Sequence, residues 1–370
     1  MDWKKAAGIG LALLLVLAAM GCGNSASPQT PPAQESEGGT PTGGEGASGS
    51  SGTQDELAKL YEAAKAEGSV VFWSANDVTE VQKFQEKFNE KYPGIKIDHF
   101  EIQPGEAIER MIAESSAGQV NVDVFDTPLT YLPPLIERDM IETYDYPGVF
   151  GIKATHFDNR LVGIYHLSVP IVYNTNLVSE ADVPKSWEDL LDPKWKGQKI
   201  LVESRGIAFP ILAQEWGEEK ALDYLNQLLA QEPLIIKGGT PTLQSISNGE
   251  VAIAMGTYAY KVEQNKKKGA PIEWARVSPI PAMTYVAGVP KNAPHPNAAL
   301  LFAGWLASED GLKAREEVTG MGMLTDTENI SAIGREMKAN NLQVIPERED
   351  FLEEGARILD EVGKTISRLQ

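Results

Sequence analysis

Arg205, preceded by Ser204, is the pair in this 370-residue chain whose chemistry best suits the capture of an anion. A guanidinium presents its N–H groups as a fork that matches a carboxylate or phosphonate. The pair stands between an apolar run at 199–202 and a helical stretch starting near 207, where free N–H groups and the helix dipole already favour negative charge. A structural pairing with Glu203 competes, although successive strand positions point to opposite faces. Similar groups follow other apolar runs. Ser74, Asn76 and Asp77 come after 70–73, Asp126 and Thr127 after 122–125, and Thr257, Tyr258 and Tyr260 after 251–255. Asp77 also has the capping-box spacing with Glu80, and Asp126 with Thr127 can close a turn before Pro128. Tyr165, His166 and Ser168 fall in a proline-interrupted extended segment at 163–174.

The elements that must position these groups are legible in the periodicity. The run at 70–73 reads as a buried strand, and those at 95–100 and 122–125 as a second and a third strand. Between them, Val78, Val81, Phe84 and Phe88, then Ala107, Ile108, Met111 and Ile112, fall at helical spacing. Strand, helix, strand, helix, strand describes a parallel α/β lobe. A second alternation begins at 199–202 and runs through helices near 207–216 and 221–230 to a strand at 251–255. Segments 163–174 and 275–289 would cross between the lobes as a two-crossing hinge. In open parallel sheets, ligands sit beyond the carboxyl ends of the strands, which is where these candidates lie apart from Tyr165, His166 and Ser168, which the expected hinge adds. No G-x-S-x-G, H-E-x-x-H or G-x-x-x-x-G-K-[ST] motif occurs, so binding rather than catalysis is expected, with no cofactor.

Lys4, Lys5 and an apolar run ending at Met20 form an export signal, expected at 1–21. Cys22, the single cysteine, is the expected lipidation site, and the Gly/Ser/Pro/Thr tract filling 22–54 lacks the apolar content to fold. A linker of that length typically spans roughly 30 Å. The body would then sit on the extracytoplasmic face of the cell membrane, held by lipid. The formal net charge of −19 argues against nucleic-acid partners.

Four segments carry a resemblance to a known family. They are 81–97 (VQKFQEKFNEKYPGIKI), 112–125 (IAESSAGQVNVDVF), 172–197 (VYNTNLVSEADVPKSWEDLLDPKWKG) and 293–311 (APHPNAALLFAGWLASEDG). In that order they resemble the extracellular solute-binding proteins of ABC importers, ferric-iron-type group, over about 57–323. The resemblance implies a two-lobed, type II-like periplasmic-binding-protein fold. Lobe 1 would comprise 55–165 and 285–370, and lobe 2 would comprise 166–284 with the hinge strands. It also implies a monomer that captures a small solute and docks on a permease with its ATPase; a ligand-sensing lipoprotein of the same fold is the alternative. Ferric binders of this family hold the metal with two adjacent tyrosines and commonly a histidine. Here the matching loop reads Tyr258-Ala259-Tyr260, and the loop after the first strand offers no histidine. An organic anion or phosphonate-like solute is therefore expected, with iron at Tyr258, Tyr260 and Asp77 as the alternative.

Overall fold

Apolar runs of strand length joined by amphipathic helices build two sheets in the computed structural model, which describes residues 49–325 and 330–368. The expected signal at 1–21, Cys22 and most of the 22–54 linker lie outside the described residues. Helix α1 (Gly49–Glu67) begins inside that expected linker. The first lobe continues with β1 (Ser69–Ser74), α2 (Val78–Lys91), β2 (Lys96–Glu101), α3 (Pro104–Ser116) and β3 (Val124–Pro128). Short helices α4 (Pro133–Glu137) and α5 (Tyr146–Phe150) then lead to β4 (Thr155–His156) and the long β5 (Leu161–Ser168).

The second lobe alternates in the same way. It holds β6 (Val172–Asn174), β7 (Ile200–Glu203), α6 (Ala208–Trp216), α7 (Glu218–Leu229) and β8 (Leu234–Ile236). These are followed by α8 (Gly239–Ser247), β9 (Ile253–Met255), α9 (Ala259–Lys267) and β10 (Ile272–Trp274). The chain returns along β11 (Ile280–Gly288) to α10 (Pro296–Ala307), α11 (Glu309–Thr319), α12 (Ala332–Ala339), β12 (Val344–Pro346) and α13 (Leu352–Ser367).

The first sheet has the order β2-β1-β3-β11-β5-β4, with β12 added in parallel to β11, and the second has the order β10-β6-β9-β7-β8. Strand β1 pairs in parallel with β2 and β3, whereas β11 runs antiparallel to β3 and β5. Every residue of β5 and β11 is buried, which explains their near-continuous apolar sequences. The crossings lie at 169–171 and 275–279, so the boundary expected after 165 falls inside β5. Trp187 Nε1 donates to the Pro279 carbonyl at 3.0 Å and ties the second crossing to the lobe 2 core.

Local rules account for most element ends. Asp77 caps α2, its carboxylate accepting from the backbone N–H groups of Thr79 at 2.8 Å and Glu80 at 3.0 Å. Val81, Phe84 and Phe88 are buried, but Val78, expected on the same stripe, sits in the first turn and is 53 % exposed. In α10 the stripe Ala298, Leu301, Phe302 and Trp305 is buried, with Phe302 and Trp305 stacked at 5.9 Å. Two expectations need correction. Asp126, Thr127 and Pro128 belong to β3 rather than to a turn ending it. The 285–370 segment also does not stay with the first lobe: α10, α11 and β12 join it, while α13 packs on α6.

Candidate functional site

Both lobes belong to one compact unit, Ala47–Gln370, and a cleft of about 630 Å³ opens between them. The loop after β1 contributes Asn76 and Asp77, and the first turn of α2 contributes Glu80. Tyr131 follows β3, and β5 and β11 contribute Tyr165 and Tyr285. These two strands hold the two tyrosines directly opposite each other, with rings stacked at 4.4 Å. From the second lobe come Arg205 beyond β7, and Tyr258, Tyr260 and Lys261 at the start of α9. The Tyr258 and Tyr260 rings stack at 6.1 Å with an interplanar angle of 16°.

Charge divides between the walls. On the second-lobe wall, Arg205 Nε donates to Glu203 Oε1 at 2.9 Å, and the Gly238 N–H reaches the same oxygen at 2.8 Å. Burial works against the Arg205 charge, but Glu203 and Tyr258 beside it hold its pKa above the ordinary value. Lys261 donates to Thr240 Oγ1 at 3.0 Å, and burial lowers its pKa while Glu80 across the cleft opposes that shift. On the first-lobe wall, the Thr79 hydroxyl and the Glu80 N–H hold Asp77 below the usual carboxylate range, whereas burial and then Asp77 push Glu80 up. Burial raises the pKa of Tyr165, Tyr258, Tyr260 and Tyr285, so these rings present neutral hydroxyls. The result is an aromatic cleft with fixed cations on one side and carboxylates on the other.

Of the residues singled out in the sequence, Asn76, Asp77, Tyr165, Arg205, Tyr258 and Tyr260 line the cleft. The remaining candidates do not. Ser74 is buried, its hydroxyl 3.0 Å from His99 Nε2 and accepting from the Asn76 N–H. Asp126 lies beneath the floor, 3.8 Å from the equally buried Arg315; burial pushes its carboxyl up to about 7, against the pull of Arg315. Thr127 and Thr257 are fully buried, and Ser168 is buried in β5. His166 accepts from the Leu324 N–H at 3.2 Å, and Ser204 continues the β7 pairing through its N–H to Ile236. Glu203 does not turn away from Arg205, because the β-turn after β7 brings the side chains together. Sequence reasoning missed Tyr131, Lys261 and Tyr285. Tyr285 lies in the expected hinge segment 275–289 and Lys261 next to Tyr260, which were the available signals.

The expected alternative metal set of Tyr258, Tyr260 and Asp77 lies together in the cleft, and two of the three groups already have other partners. Asp77 caps α2, and the Arg205 guanidinium lies beside Tyr258 and works against the rise in its pKa. Among the described residues, no group of three or more His, Cys, Asp or Glu is arranged to hold a metal. Hard-ion binding by tyrosine requires loss of the phenolic proton, which burial here opposes.

A family model of bacterial extracellular solute-binding proteins matches residues 83–333. The Fe(3+)-binding periplasmic protein of Serratia marcescens is 23 % identical over 69 % of this chain and 78 % of its own length. A putative 2-aminoethylphosphonate-binding periplasmic protein of Salmonella typhi is 25 % identical over 64 % of this chain and 72 % of its own. Among solved structures, an ABC transporter substrate-binding protein from Bradyrhizobium japonicum superposes with a TM-score of 0.68 at 17 % identity, covering 82 % of this chain and 99 % of that one.

Proposed function

The chain belongs to the bacterial extracellular solute-binding proteins of ABC importers, and from that premise we propose that it captures a small solute bearing a carboxylate or phosphonate. The observation that carries this reading is the placement of Arg205 and Lys261 together on the second-lobe wall of an otherwise tyrosine-rich cleft. A forked guanidinium and a half-buried ammonium close together offer an anionic group charge-assisted hydrogen bonds from two cations. Asp77 and Glu80 opposite them suit a positively charged or hydrogen-bond-donating part of the same solute. A relative named for an aminophosphonate is in keeping with that division.

The protein then acts without catalysis. The solute bridges the walls, the lobes close on it, and the closed form docks on a permease powered by a separate ATPase. Attachment to the cell membrane through lipid at Cys22, with the tract after it as a tether, belongs to the same proposal. Among the described residues no helix is long and apolar enough to cross a membrane.

Mass spectrometry of the solute that co-purifies, followed by thermal shifts with phosphonates, carboxylates and ferric salts, tests this reading. A ligand at a hundredfold excess over its Kd stabilises the native state by about 2.7 kcal/mol, which is readily measured. Phosphonates or carboxylates should give the shift. A shift with ferric salts alone, accompanied by a visible tyrosinate charge-transfer band, would replace the anion by iron.

A further inference from the structure

Two partners share one edge of β11 and leave a gap between them. Strand β3 pairs with Tyr285 to Gly288, and β12 pairs with Ile280 to Ala282, so Met283 and Thr284 face neither. Glu347, directly after β12, fills that gap. Its N–H donates to the Ala282 carbonyl at 3.0 Å, and its Oε2 accepts the Thr284 N–H at 3.0 Å. Its Oε1 accepts the hydroxyl of Thr130, which follows β3. Both bonded threonines immediately precede cleft tyrosines, Tyr131 and Tyr285. The flanking residues reach the other lobe: Gln214 of α6 donates from Nε2 to the Pro346 carbonyl at 2.8 Å and accepts the Arg348 N–H at 3.1 Å.

We propose that Glu347 is a positioning residue of the solute site: its side chain sets the two segments carrying Tyr131 and Tyr285, and its backbone neighbours tie them to α6 of the second lobe. The physical reason is the number of donors it satisfies. A single carboxylate bonds the middle of β11 and the segment just beyond β3, which do not pair with each other at this level, and a backbone N–H left unmet there would have to recruit water at the cleft floor. The inference rests on the cleft being the solute site.

Hydrogen exchange and calorimetric titration with methylphosphonate test it, in the full-length chain and its Glu347→Ala and Glu347→Gln variants. Alanine should speed exchange in peptides covering 129–131 and 283–286 by about tenfold, the equivalent of one lost hydrogen bond, without change in α2 or α7. Glutamine, which still offers an acceptor oxygen, should stay near wild type. Methylphosphonate affinity should fall in parallel, by about tenfold for alanine and only slightly for glutamine. Unchanged exchange in both peptides, a uniform rise throughout the protein, or a faster-exchanging alanine variant that binds the probe as well as wild type would each overturn the proposal. If wild type does not bind methylphosphonate, the phosphonate form of the anion reading fails by itself, and the exchange pattern alone then decides whether Glu347 sets the two segments.

Discussion

Arg205 shows how one residue can serve both readings available from sequence. Its guanidinium lines the cleft and also meets Glu203, a carboxylate only 1 % exposed. The two roles are compatible because a forked group uses some N–H donors for the fixed partner and leaves others for a solute. Replacing Arg205 by alanine should therefore weaken anion binding by about 1.5 kcal/mol, the lower end for a charge-assisted bond, since the side chain is partly exposed and screened. It should also lower stability by about 1 to 3 kcal/mol, because Glu203 keeps its backbone donors but loses its counter-charge in a buried place. Titration calorimetry and urea melts on the same variant separate the two losses. Affinity equal to wild type with reduced stability would leave Arg205 a purely structural partner.

Among the elements, α13 departs most from its expected place. It follows β12 of the first sheet yet packs on α6, where Ile358, Val362 and Ile366 are fully buried. The contact depends on Gly206, which has φ +61 and would bring a Cβ to 2.3 Å from Val362 Cγ1. A side chain there meets both backbone strain and a packed helix. Gly206→Ala should cost about 1 to 3 kcal/mol. Exchange protection in α13 should drop more than in α10, whose packing on α1 and β1 is untouched. Equal protection in the two helices would mean that α13 does not depend on this cradle. The placement of α13 was not legible because its apolar stripe says only that one face is covered, not which surface covers it.

For the whole molecule, the proposed motion is rotation of the two lobes about the crossings at 169–171 and 275–279. A solute that touches both walls favours the closed form by its differential affinity for the two states. Small-angle scattering should show the radius of gyration shrinking when the co-purifying solute is restored to stripped protein. An unchanged radius, with binding verified by calorimetry, would rule out closure as the working motion. The C-terminal segment bears on this motion too, since β12 joins the first sheet while α13 rests on the second lobe. The hinge therefore has a third connection beside the two crossing strands.

The sequence by itself determined the α/β alternation, the two buried crossing strands, the cap of α2 and the family. Each of these follows from local spacing, from apolar period, or from segments of fixed order. Six cleft residues were also named, five because the carboxyl ends of parallel strands are known places once the strands are recognised and Tyr165 because it lies in the expected hinge segment. Only the tertiary structure decided that Ser74, Thr127, Ser168 and Thr257 turn into the interior. It also placed Tyr131, Tyr285, Lys261 and Glu347 at or behind one cleft. Burial of a single side chain depends on which face of a strand is covered and by what, and that is fixed by pairings between segments more than a hundred residues apart, such as β3 with β11. Sequence periodicity reports the existence of a covered face; the long-range pairing selects which polar groups remain open to a solute.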